Sequence, residues 1–510
     1  MLSRSLFLKF LCASALTLLS VAAAQSASGP VGDAIALLQA GKRAEAVTLL
    51  QSALTKDPTL APAAHLLSQV LLNEHRLPEA AEVIAKALAV NPGSADLLQA
   101  RGDIEFRQAD FGAAEKSYKQ SLRIDKNNAR ALYGIARVFH SAALGKFSAT
   151  LFRQAHELAP DDGAITSGFA RYAATDAERQ AIFETFLKSP AGASGRSVQS
   201  VTARTALAKY LNGRDTGTLA TPYAASTIHM QVLLNGRHAN GLALQVAVNG
   251  AKTAVLELDT GASGITITRR LAEKAQVERI AEMSLTGIGD ERDPSGYVGF
   301  AERIRIGGVE FRDCVVHVSD KAFSADADGL VGTDIFQRFL ITLDFRNRQL
   351  RLDPLPGPPW DGHEPVDRYL GPELQGYSQV FRFGHQLLIK TQTGDAQAGF
   401  FLLDTGSAMN VMSNSAARGV ARVRGEDRMT ITGVSGRVRK VESADEVTVM
   451  FAGYRQKLLD LAAINLDGIS HSAGTEVSGI LGLPTLILFD FTIDYRDGMV
   501  KFVFNPPLGM

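Results

Sequence analysis

Val255 to Ser263 reads VLELDTGAS, and Phe401 to Ala408 reads FLLDTGSA. Each is an apolar run that delivers an Asp-Thr-Gly, with small residues after it. The two aspartates, Asp259 and Asp404, stand 145 residues apart. A lone Asp-Thr-Gly is ordinary turn chemistry, because Asp caps turns and Gly accepts a positive φ. The chain carries such a copy at Asp215-Thr216-Gly217, which follows Asn212-Gly213-Arg214 and reads as a loop with no strand to deliver it. The other two copies are framed alike. Two carboxylates presented by equivalent turns are what acid hydrolysis of a peptide bond requires.

The likeness of the two stretches extends beyond the motif. Gly329-Leu330-Val331-Gly332 precedes the run Phe339 to Phe345, and Gly479-Ile480-Leu481-Gly482 precedes Phe489 to Tyr495. Between motif and glycine element, each half has a glycine-bearing loop, Leu285 to Gly289 and Ile431 to Gly436. Short strand-type runs bounded by Asn-Gly turns begin near 225, and the proline-rich stretch Pro354 to Pro359 excludes both helix and central strand. The order is that of a duplicated strand-rich lobe, the first over 225–355 and the second over 376–510, with 356–375 as linker.

These residues resemble the aspartic proteases, in which two lobes each contribute one Asp-Thr-Gly; the lobes' shortness is closer to the retropepsin type than to pepsins. The resemblance implies catalytic roles for Asp259 and Asp404. It implies that Thr260 and Thr405 tie the two loops together, and that Gly261 and Gly406 stand where a side chain would obstruct the turn. Gly287, Gly289, Gly433 and Gly436 are candidate flap residues over a cleft. Two carboxyls held about 3 Å apart share one proton and titrate as a pair, a dyad described in general terms for this enzyme class. Neither cofactor nor metal is expected. Asp334, Asp344, Asp490 and Asp494 flank apolar runs and read as solvated strand-end residues, while Tyr297 reads as a strand residue.

Ahead of these lobes, residues 27–212 read as helix. Asp57-Pro58, Asn91-Pro92, Asp125-Lys126 and Ala159-Pro160 recur every 34 residues, as do Ala46, Ala80 and Ala114, and Leu50, Ile84, Tyr118 and Phe152. Small residues let paired helices approach, larger ones fill the gap, and proline closes each unit. The pattern is similar to the tetratricopeptide repeat, with about four units, although Ala64, Leu98 and Leu132 stand where that family often has Trp. Such arrays bury a core by stacking and bind peptides or proteins. The expected architecture is therefore multidomain: an N-terminal all-α helical repeat solenoid followed by a C-terminal all-β bilobed acid-protease fold.

Composition narrows the partners. Lys plus Arg and Asp plus Glu number 53 each, so no nucleic-acid partner is expected. Residues 1–24 read as a signal peptide, with Arg4 and Lys9, an apolar run Phe10 to Val21, and Ala22-Ala23-Ala24 before Gln25. That run is short of the ~20 residues a membrane span needs, so no stable span is expected after cleavage. Location is read as periplasmic or secreted. Cys314 is then the sole remaining cysteine and reads as a small buried side chain. No His-Glu-x-x-His, Gly-x-Ser-x-Gly or phosphate-binding loop is present. The leading expectation is an exported aspartic endopeptidase acting on a peptide or protein substrate, with a possible protein partner on its repeats. A non-catalytic adaptor that binds peptides with the same fold is the alternative.

Overall fold

The computed structural model describes residues 29–189, 205–235, 238–251, 253–284, 288, 295–320, 326–360, 364–395, 398–426, 429–433 and 436–507. The signal-peptide reading falls outside them. The chain divides into two compact units. One comprises the described residues among 1–135, 153–168 and 185–199, and the other those among 136–152, 169–184 and 200–510.

The N-terminal region is a run of helices: Pro30–Gln39, Arg43–Lys56, Ala61–Asn73, Leu77–Val90, Ala95–Arg107 and Phe111–Ile124, continuing to Asp176–Lys188. The repeat positions do what their sizes suggest. Ala46, Ala80 and Ala114 are fully buried, and so, within 2%, are Leu50, Ile84, Tyr118 and Phe152. Tyr118 is the largest of that series, and it is accommodated by glycine: a Cβ at Gly102 or Gly134 would lie 2.6 or 2.3 Å from its ring. Its hydroxyl donates to Asp103 Oδ1 at 2.7 Å, so the buried polar tip is satisfied.

A second 34-residue period lies in the backbone. Gly41, His75, Ala109 and Ala143 all adopt positive φ, at 77°, 57°, 64° and 60°, in the turns between helices. A left-handed residue after a helix frees the chain to reverse and satisfies terminal carbonyls; only the first of these turns uses the residue best suited to it.

The second unit contains the β-rich half. Tyr297 lies buried in a strand, Ser295–Ile306, of the first lobe, and Cys314 in Val309–Ser319, its thiol pushed up to about 12 by burial. In each lobe the strand that delivers Asp-Thr-Gly pairs parallel with the Gly-φ-φ-Gly strand: Ala254–Asp259 with Gly329–Gly332, and Gly399–Leu403 with Gly479–Leu481. A third strand, Ile265–Thr268 or Val411–Ser413, pairs antiparallel on the far side of the glycine strand.

The lobes are joined by a shared antiparallel sheet. Its order is Ser226–His229, Gln349–Pro354, Phe339–Asp344, Phe489–Asp494, Met499–Phe504, Ser378–Phe383. At the centre Ile341 faces Ile493, Thr342 faces Thr492 and Leu343 faces Phe491. Aligning Phe339 with Phe489 makes Thr342 and Thr492 equivalent residues, so a pseudo-twofold axis passes through this pair. Their hydroxyls hydrogen-bond to each other at 3.0 Å.

The expectation that Asp344 and Asp494 are solvated is corrected. They are 3% and 0% exposed. Each caps the tight turn that follows its strand, accepting the backbone N–H three residues on, from Asn347 at 2.9 Å and Asp497 at 3.0 Å. Asp334 and Asp490 are half-buried. The proline-rich stretch is also anchored: Arg496, ion-paired with buried Asp497 at 2.7 Å, donates to the carbonyls of Pro356 and Pro358. Helical residues of this unit meet the segment that follows, where Gly145 N–H donates to Val366 O at 2.8 Å and Lys146 N–H to Asp367 Oδ1 at 3.0 Å. No helix among the described residues is long and apolar enough to cross a membrane.

Replacing Ala109 by Gly relieves a left-handed alanine and is expected to stabilise the chain by about 0.5–1 kcal/mol in urea unfolding; a loss would contradict the turn assignment. A second expectation concerns pH. Burial and the neighbouring charge of Asp497 raise the Asp494 carboxyl to about 7. The folded state thus holds a proton that the unfolded chain releases near pH 4, and stability from this group falls as pH rises from about 4 to 7. Asp494→Asn should raise the melting temperature at pH 8 relative to the parent, and the gain should shrink toward pH 4. A pH-independent difference would show that Asp494 does not titrate in that window.

Candidate active site

The pseudo-twofold axis that runs through Thr342 and Thr492 also runs between the two Asp-Thr-Gly turns. Thr260 and Thr405, 0% and 1% exposed, exchange four hydrogen bonds across it. Thr260 N–H donates to Thr405 Oγ1 at 3.1 Å, and Thr405 N–H to Thr260 Oγ1 at 3.0 Å. In return the Thr260 hydroxyl donates to Leu403 O and the Thr405 hydroxyl to Leu258 O, both at 2.8 Å. Each hydroxyl therefore donates once and accepts once, with no lone group left in the dry interface.

This clamp brings Asp259 and Asp404 into contact. Gly261 N–H and Ala262 N–H donate to Asp259 Oδ1 at 2.7 and 3.1 Å, and Gly406 N–H donates to Asp404 Oδ1 at 3.0 Å. Glycine is required by space at both turns. A Cβ on Gly261 would lie 2.7 Å from Asp404 Cγ, and one on Gly406 would lie 2.5 Å from Asp259 Cγ. Burial raises both carboxyls above the usual range. Asp404 is raised well above it, by burial and then by the negative charge of Asp259. For Asp259 burial is opposed by a hydrogen bond from Asp404, by its two backbone donors and by nearby His385. The two carboxyls therefore share one proton and titrate as a pair, with Asp404 the more strongly raised member.

Four further residues frame the pair. His385 Nε2–H donates to Gly261 O at 2.9 Å, reaching the first-lobe turn from the second lobe. Asp334 Oδ1 accepts Gly264 N–H at 2.8 Å and fixes the chain just after the turn; in the second lobe Asn410 accepts Gly482 N–H at 2.9 Å. Glu257, two residues before Asp259, is 9% exposed. Its carboxyl is pushed up to about 8 by burial and by the charge of Asp259.

Of the flap candidates, Gly433 and Gly436 form a tight hairpin, Thr432–Gly433 pairing with Gly436–Arg437. Gly287 and Gly289 lie outside the described residues. Ile288 between them is described, and its carbonyl oxygen would be 2.5 Å from a Cβ on Gly433, so Gly433 rests against Ile288. Asp215 lies exposed in a loop just ahead of the short strand Thr218–Leu219, and no apolar strand precedes it.

His385 and Glu257 are absent from the candidates read in the sequence. His385 carries no local signal, because its partner is 124 residues distant. Glu257 does carry one, a charge inside an otherwise apolar strand, and that anomaly is enough to single it out.

Comparison with known families agrees with this layout. Residues 244–335 match the aspartyl protease family model, and residues 37–104 match a tetratricopeptide repeat model. The strand-rich half is thus protease-like and the helical half repeat-like. The first match takes in Asp259 and the Gly329–Gly332 element but not Asp404, whose place rests on the internal duplication and the reciprocal clamp. Similar solved structures include a thermophilic TPR protein of Thermus thermophilus, 18% identical over 36% of this chain and 98% of that one, with TM-score 0.31. MamA is 16% identical over 30% and 90%, with TM-score 0.24, and PilF of Pseudomonas aeruginosa is 20% identical over 29% and 68%, with TM-score 0.26. No curated protein matches the chain.

The clamp yields a direct test. Thr260→Ala removes the partner of both Leu403 O and Thr405 N–H in a buried interface, at a cost of about 1–3 kcal/mol for each. Thr260→Ser keeps the hydroxyl and should lose less than half as much in urea unfolding. Equal losses for Ala and Ser would show that the methyl group matters and the hydrogen bonds do not.

Proposed function

We propose that this chain is an exported aspartic endopeptidase whose repeats recruit a protein substrate or partner. The observation that carries the reading is the pair of buried carboxyls, Asp259 and Asp404, held face to face by equivalent turns.

In this reading Asp259, as carboxylate, takes a proton from a water bound between the two acids. The water oxygen forms a bond to the peptide carbonyl carbon while Asp404 gives its proton to the carbonyl oxygen. The tetrahedral species then collapses: the C–N bond breaks, the nitrogen takes the proton held on Asp259, and a hydroxyl proton returns to Asp404. Every proton moves between groups of this chain and substrate. The Gly433–Gly436 hairpin and the loop about Ile288 act as flaps that close over the peptide and exclude bulk water. The repeats supply a protein-binding surface, in keeping with their family match. Export, to the periplasm or beyond the cell, rests on the reading of residues 1–24.

The test uses purified full-length chain and a peptide library. Asp259→Asn and Asp404→Asn should each lower the cleavage rate by at least about 10²-fold, since asparagine matches the shape but carries no transferable proton. Asp215→Asn should leave it unchanged. An equimolar mixture of the two dyad variants should stay inactive at every concentration, because both aspartates of a site come from one chain. Full activity in either single variant would refute the assignment. A folded parent that binds peptides and cleaves none would favour the adaptor reading. Intact mass of chain recovered after export should correspond to a start at Gln25.

A further inference from the structure

Glu257 occupies a place in the first lobe that has no charged counterpart in the second. It lies on strand Ala254–Asp259, two residues before Asp259, so both side chains leave the same face of the sheet. On one side it pairs with Ala243, on the other with Leu330. Its carboxyl leans toward the catalytic end of the strand: a Cβ on Gly241, two residues beyond Ala243 and thus alongside Asp259, would lie 2.5 Å from Glu257 Oε1. The charge of Asp259 raises the Glu257 carboxyl, and Glu257 in turn raises Asp404. The side chain is 9% exposed and makes no hydrogen bond or ion pair with any described residue.

The equivalent residue of the second lobe is Leu402. It pairs with Leu388 and Ile480, and all three are buried. The second lobe is therefore apolar at these three positions, whereas the first carries there a carboxyl with no partner among the described residues. A buried carboxyl without a partner is costly to ionise. The ligand chemistry that fits a carboxyl set among apolar strand residues is an aliphatic stem ending in a cation.

We propose that Glu257 is a specificity-determining residue that pairs with the Lys or Arg side chain of the substrate residue bound beside Asp259, while the residue on the other side of the scissile bond, facing Leu402, is apolar. This rests on the peptidase reading above. The cation takes up the position next to the carboxyl, the carboxyl gives its proton to solvent, and the resulting ion pair holds the scissile bond over the dyad. No part of the hydrolysis itself passes through Glu257.

The experiment compares peptides that differ only in one residue flanking the cleaved bond, with Lys, norleucine or Glu there, together with non-hydrolysable reduced-bond analogues of the Lys and norleucine peptides. In the parent, kcat/KM for Lys over norleucine should be about tenfold or more, as for a charge-assisted contact, with the same order in analogue inhibition. Glu257→Gln should bring both ratios near one. Glu257→Leu, which copies Leu402, should reverse the preference, and its melting temperature controls for misfolding. Dyad-dependent cleavage with a Lys-to-norleucine ratio unmoved by either variant would overturn this inference and leave the peptidase reading intact. Absence of cleavage and of analogue binding by the parent would overturn both.

Discussion

Bringing two carboxyl groups together in a dry interior is opposed by their repulsion and by the loss of hydration. The reciprocal hydrogen bonds of Thr260 and Thr405 are the counterweight on which the site depends. They close a ring in which two side chains and four backbone groups from two lobes satisfy one another. Once that ring is set, the aspartates have almost no positional freedom, and the glycines of the two turns admit no side chain. The shared sheet extends the same constraint outward: its central pair, Thr342 and Thr492, lies on the axis about which the ring is symmetric. Dyad, ring and sheet are three sections through one symmetry element.

Much of this is legible in the order of residues alone, because duplication leaves a double signature. One Asp-Thr-Gly would be a turn. Two, each fed by an apolar strand and each followed by Gly-φ-φ-Gly, identify a pair of equivalent lobes. The repeats are legible for a similar reason, since Ala80 and Ile84 only make sense as an interface met again at Ala114 and Tyr118. What the sequence does not disclose depends on contacts between distant residues. Asp344 and Asp494 read as solvated strand ends; they are buried turn caps, because the shared sheet covers them. His385 finds the first-lobe turn only after the second lobe has folded across the axis. The left-handed series at His75, Ala109 and Ala143 is hidden because two of its members are alanine, a residue that does not advertise such a conformation.

The boundary between helical and strand-rich parts is also less simple than the change in composition near residue 212. Residues 136–152 and 169–184, helical in character, belong to the same compact unit as the β-lobes. Hydrogen bonds from Gly145 and Lys146 to Val366 and Asp367 help explain this, as does Arg368, which donates to Ala142 O. A periodic sequence reports the internal packing of repeats; it carries no mark for the place where a repeat starts to pack on something else.

Joining two lobes in a single chain has a consequence for how such a site can change over time. In an assembly of identical subunits every substitution appears twice, so a residue that improves one flank of the cleft is imposed on the other. Here Glu257 stands where the second lobe has Leu402, and Asp334 stands where it has Pro484. The two copies differ at these positions and have stayed alike at Thr260 and Thr405, where each contacts the other. Fusion turned one inherited half-site into two that can be altered independently.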